Sequence, residues 1–159
     1  MRLAVPRCFA CRGFLDIRFT AFEEGSPHDS PGHQLVYSYG AIAWCRSCGA
    51  GQVERGSHDC YQFDEPWEMH AWYLLDPPSY EELATAFETC PRHTWPGCDC
   101  PIHRALAESV RSLPIRSRWT TVLLELEPPE ELAEHVHPVA LSWKEDGAPV
   151  LRIVDATET

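Results

Sequence analysis

Eight cysteines dominate the chemistry this chain can do. Cys8 and Cys11 are two residues apart, and so are Cys45 and Cys48. Two such pairs can each sit on a tight turn and aim both sulfurs at one ion, the arrangement of a tetrahedral four-thiolate zinc site. Gly49 and Gly51 after the second pair let backbone N–H groups approach the sulfurs, and Arg12-Gly13 after the first repeats the pattern in weaker form. A second constellation is formed by Cys90, Cys98, Cys100 and His103, with His93 as a rival fourth ligand. Pro101 suits the first position of a helix. That makes Cys100 the N-cap, where the positive helix end favours a thiolate, and His103 the third helical residue. The expectation is one zinc at the first group and a second, of type Cys3His, at the other, both closed by four protein ligands. Cys60 is left over and reads as a small buried side chain.

Disulfides, a thioredoxin-type redox pair and iron compete with the first zinc. Residues 1–6 hold no apolar run of signal-peptide length, so the expectation is a reducing compartment that keeps thiols free. Residues 13–22 are aromatic and β-branched, a strand pattern where a redox pair would start a helix. The paired knuckles, with Cys45-Arg46-Ser47-Cys48-Gly49 as the second, resemble the zinc-ribbon proteins and, more distantly, rubredoxins. The resemblance covers the first third of the chain and implies a fold element and a metal, not an activity. Rubredoxin knuckles usually have a proline after the first cysteine of the second pair and an aromatic residue soon after that pair. Arg46 and the stretch 50–53 depart from both, which favours zinc over iron.

The elements that must position these residues read as α+β. N-terminal zinc-ribbon β-hairpins, strands at 13–22 and 34–44 joined by an irregular tip and followed by 51–60, pack on a small antiparallel sheet with two to three short helices. Residues 1–60 form the ribbon-like module and 61–159 the body. In the body, 67–75 is a strand with Trp67, Met69, Ala71 and Tyr73 on one face. Ser79 and Glu82 open a helix as a capping box. A second helix follows Pro101 with Ile102, Leu106, Val110 and Leu113 on one face. Residues 119–127 read as a strand and Pro128-Pro129 as the start of a short helix. A C-terminal hairpin turns at Asp146-Gly147.

Composition narrows the function. The 159 residues carry net charge −11, from 13 Lys+Arg against 24 Asp+Glu, which argues against nonspecific binding to a phosphate backbone. No apolar run reaches the roughly 18 residues of a membrane span, and the expected location is the cytoplasm of a bacterium. The charge is uneven: residues 61–100 carry −7 and 128–159 carry −5, whereas 1–60 balance. Aromatic residues lie in the most acidic stretch. Glu65, Trp67, Glu68, Trp72 and Tyr73 are therefore the candidate surface for a basic protein partner, with core packing of the rings as the competing reading. The chain has no Gly-x-Ser-x-Gly elbow, no phosphate-binding glycine loop and no His-Glu-x-x-His pair. The expected role is noncatalytic: a small acidic zinc-stabilised protein-binding module, in its concrete form an immunity or inhibitor protein for a basic toxin or nuclease. The alternatives are a metal-dependent enzyme or rubredoxin-like electron carrier, and a zinc-ribbon nucleic-acid binder. For the last, Arg2, Arg7, Arg12, Arg18, Arg46 and Arg55 would be the footprint if they cluster on one face.

Overall fold

Alternating apolar residues build one sheet from six strands: β1 (Leu15–Pro27), β2 (Leu35–Cys45), β3 (Gly51–Asp59), β4 (Glu68–Leu75), β5 (Val136–Trp143) and β6 (Pro149–Ile153). The computed structural model describes residues 3–27, 35–59, 68–113 and 136–154. The strands lie side by side in chain order. Every neighbouring pair is antiparallel except β4 and β5, which run parallel with Trp72 opposite Val136 and Tyr73 opposite His137. A parallel pair needs a crossover connection. The stretch between them carries α1 (Pro77–Ala86), a 3-10 turn (Phe87–Thr89) and α2 (Pro101–Ser112). The fold is therefore α+β as expected, but its sheet is mixed and larger than a small antiparallel one, and two α-helices are described. β3 and β4 pair from Gly51–Leu75 to His58–Glu68.

The first helix starts earlier than the Ser79/Glu82 capping box implies. Asp76 is the N-cap, and its carboxylate accepts from the Ser79 N–H at 2.8 Å. Pro77 and Pro78 then occupy the first helical positions, where a missing N–H leaves no hydrogen bond unmade. The Ser79 hydroxyl and backbone N–H hold the Asp76 carboxyl below its ordinary range. The C-terminal hairpin forms as read, with Gly147 at φ 86° in its turn. The expected strand at 119–127 and the helix after Pro129 lie outside the described residues.

Both faces of the sheet are covered. On one, α1, α2 and the 3-10 turn bury a core that includes Phe19, Ile42, Tyr73, Leu83, Phe87 and Leu106. Gly40 lets α2 approach β2, since a Cβ there would meet Phe22 at 2.6 Å and Val110 at 2.9 Å. On the other face lies the N-terminal segment, with Leu3 against Ala41 and Ala43, and Val5 and Phe9 against Trp72. Glu54, 1% exposed on β3, anchors this segment. It accepts from the N–H of Ala4 (2.9 Å) and Val5 (3.1 Å), from the Tyr39 hydroxyl (2.6 Å) and from Trp72 Nε1 (2.9 Å). Gln52 Oε1 accepts from the Phe9 N–H at 3.1 Å. Four donors on one carboxylate offset the cost of burying it. Together these bonds deliver Cys8 to the end of the sheet.

Candidate metal centres

The first centre is two copies of one backbone turn. In the first, Cys8 N donates to Gly13 O (2.8 Å) and Arg12 N to Cys8 O (2.7 Å). In the second, Cys45 N donates to Ala50 O and Gly49 N to Cys45 O, both at 2.9 Å. The residue after each pair is left-handed: Gly49 at φ 80° and Arg12 at φ 66°. The N–H groups of Ala10 and Gly13 point at the sulfurs of Cys8 and Cys11, at 3.3 and 3.4 Å. These are two knuckles compatible with a zinc ribbon. One precedes β1 and the other follows β2, and β1–β2 pairing from Leu15–Cys45 onward holds them together.

The sulfur spacing fits a metal. All four Sγ atoms lie within 4.8 Å of one another. Cys8 and Cys48 are 3.8 Å apart, and Cys11 and Cys45 are 3.4 Å apart. Tetrahedral zinc with Zn–S of about 2.3 Å requires sulfurs about 3.8 Å apart, whereas a disulfide needs about 2.0 Å. All seven described cysteines are free thiols. Burial pushes the Cys8 thiol up to about 12. Burial also raises Cys45, but N–H groups of Cys48 and Ser47 and the thiols of Cys11 and Cys48 bring it down to about 7.

The second centre gathers Cys90, Cys98, Cys100 and His103, again within 4.8 Å. Cys90 caps the end of the 3-10 turn, its sulfur 3.7 Å from that of Cys98 and 3.4 Å from His103 Nδ1. The latter is close to the roughly 3.6 Å expected between sulfur and nitrogen on one tetrahedral zinc. Cys100 is the N-cap of α2, with Pro101 first in the helix, and its side chain caps no N–H. His103 is 1% exposed, and its Nε2 lies 2.7 Å from the carbonyl oxygen of Thr20 on β1. A carbonyl only accepts, so Nε2 carries the proton and Nδ1 keeps its lone pair for a metal. Burial pushes the Cys90 thiol up to about 12, while the Cys100 N–H draws Cys98 down. His93 does not join the group. Its Nε2 donates to Phe87 O at 2.7 Å and its ring lies on Phe19.

Trp72 and Tyr73 do not form a partner surface. Both are fully buried, Trp72 beneath Val5 and Phe9 and Tyr73 in the helix-side core, because β4 is covered on both faces. Glu68 begins β4, and Glu65, Trp67 and Cys60 lie outside the described residues. Arg55 also leaves the proposed footprint. It is part-buried and donates to Leu113 O at the end of α2, at 2.6 Å. Arg2 is outside the described residues. The Glu54 anchor was hidden in the sequence, since a strand reading Gln-Val-Glu-Arg looks like one with a solvated polar face. No helix among the described residues is long and apolar enough to cross a membrane. No family model, no curated protein and no solved structure matches this chain.

Proposed function

We propose that the protein is a zinc-stabilised binding module, with zinc at both centres and both metals structural. The observation that carries this reading is the completeness of the two ligand sets. Each supplies four protein donors at tetrahedral spacing, whereas a catalytic zinc keeps a coordination position for water or substrate. His103 and Cys90 are moreover buried. The zinc would hold the N-terminal segment to β2 at one centre and α2 to the loop before it at the other.

The partner we propose is a basic protein. The chain carries −11 before any metal–thiolate charge is added. The exposed side of α1 and the turn after it presents Glu81, Glu82 and Glu88 around a shallow cleft of about 560 Å³, and α1 contains no basic residue. This face replaces the stretch around Trp72 as the site of contact. An immunity or inhibitor protein that covers a cationic toxin or nuclease is the concrete form. The test is capture of partners by zinc-loaded protein at low and high salt. Basic proteins retained at low salt, released at high salt and lost with Glu81→Gln/Glu88→Gln support the reading. Retention of neutral or acidic proteins alone overturns it.

A further inference from the structure

A second surface, opposite in sign to α1, runs along the knuckle end of the sheet. Phe14, Asp16 and Arg18 alternate with Leu15 and Ile17, which pack against the N-terminal segment, so the first three face the helix side. A register shift between Ile17 and Phe19 leaves Arg18 as the extra residue of a β-bulge, turned outward. Trp44 of β2 lies on the same side, stacked against Tyr80.

The side chains form a continuous strip. Arg7 donates to Arg12 O and lies 3.6 Å over the ring of Phe14. Arg46 pairs with Asp16 through two hydrogen bonds of 2.5 and 3.0 Å. The guanidinium of Arg18 lies 4.9 Å from the Trp44 ring. Arg18 and Arg92 line one cleft of about 410 Å³, and Arg92 in turn lies 5.6 Å from the Trp95 ring. Phe14 and Trp95 are the exposed large hydrophobics among the described residues, at 61% and 55%. Both are thus flanked by guanidinium groups.

We propose that this strip binds single-stranded nucleic acid. Exposed rings give bases a platform to stack on, and arginines spaced between them meet the phosphates. Duplex offers no unstacked base to Phe14 or Trp95. The net charge of the whole chain does not forbid this, because salt screens distant acids within about 8 Å. Four guanidiniums, those of Arg7, Arg18, Arg46 and Arg92, outnumber the single carboxylate of Asp16 on the strip. This surface is independent of the acidic face of α1, and it stands or falls separately from the basic-partner reading.

The test uses the zinc-loaded full chain and fluorescein-labelled single strands of about 12 nucleotides, with a duplex of the same sequence and polyglutamate as competing polyanions. Single strands should bind saturably, quench tryptophan fluorescence, and lose affinity with a log–log salt slope of about −2 to −3, as three to four phosphate contacts predict. Phe14→Ala and Trp95→Ala should each weaken binding about tenfold, with metal content unchanged. Arg18→Glu/Arg92→Glu should abolish it. Equal binding of duplex and polyglutamate, with no effect of the aromatic substitutions, would show a general polyanion or acidic-protein surface and overturn the proposal. So would absence of binding at low salt.

Discussion

His103 Nε2 donates to the carbonyl of Thr20 at 2.7 Å, across 83 residues of chain. Thr20 N in turn donates to His93 O at 3.1 Å, so both backbone groups of one β1 residue hold the loop and helix of the second centre. β1 is an edge strand, and this docking covers part of its edge. The same bond selects the ring tautomer that a metal requires.

Replacing His103 therefore removes two things, and they can be separated. His103→Ala should lower bound zinc from two per chain to one and reduce thermal stability. His103→Cys should keep two metals, since four thiolates also suit zinc, yet remain less stable than wild type because the bond to Thr20 is gone. Metal analysis with thermal melts of all three proteins checks this. Loss of both metals from His103→Ala would mean that the centres are not independent.

Zinc uptake should release protons. Burial places Cys8 and Cys90 near 12 in the metal-free chain, so both thiols are protonated at neutral pH and must ionise to bind. Cys45, near 7, contributes about half a proton at that pH. Affinity should accordingly fall as pH is lowered, and both metals should leave in acid. Calorimetry at pH 7 in buffers of different ionisation enthalpy reads the proton count directly. Colour checks the metal, because iron–thiolate is red and zinc colourless.

Asp76 should stabilise the fold in a pH-dependent way. Its folded pKa is depressed below the ordinary 3.8 by the Ser79 hydroxyl and N–H. The contribution is therefore present above the unfolded pKa and is lost as pH falls through the folded one. Asp76→Ala should cost about 1 kcal/mol at pH 7. The gap to wild type should narrow below pH 3.8 in paired urea melts.

The two knuckles should respond oppositely to glycine. Gly49→Ala puts a Cβ into a left-handed turn with no contact closer than 3.5 Å, so the cost is backbone strain alone, about 1–2 kcal/mol. Arg12→Gly removes the same strain at φ 66° and should be neutral or stabilising by up to about 1 kcal/mol. Denaturant midpoints of both zinc-loaded variants test the pair.

Glu54→Ala should be the most damaging of these substitutions, at about 3 kcal/mol or more. It strands four donors, three of them buried, and releases the segment that carries Cys8. Zinc at the first centre should exchange faster in this variant, while the second centre keeps its metal.

Both ligand sets were legible because metal chemistry restricts spacing. Cys8-x-x-Cys11 and Cys45-x-x-Cys48 are local turns, and Pro101 located Cys100 and His103 on a helix end. The choice of His103 over His93 was not decided by spacing, since it depends on Thr20, far away in sequence. β4 misled for a related reason. Alternation at Ala71 and Tyr73 marks one buried face, but His70 and Trp72 are also buried. The cover over Trp72 is the N-terminal segment, whose own sequence shows no strand period. Asp76 does not stand out in the sequence as an N-cap, because Pro77 and Pro78 read more readily as a stop than as a start. The strip from Phe14 to Trp95 brings the loop before α2 beside β1, which the sequence does not announce.

The parallel pairing of β4 with β5 fixes the order in which the chain can finish. Every ligand of the first centre has been synthesised by Cys48 and every ligand of the second by His103. The contact of Trp72 with Val136 comes only after both. Closing so long a loop is slow compared with local hairpins. A nascent chain could thus hold two metals while the edge of β4 still waits for β5. In that interval the unpaired edge is open to other chains, and the anchored knuckles limit how far the rest of the sheet can go astray.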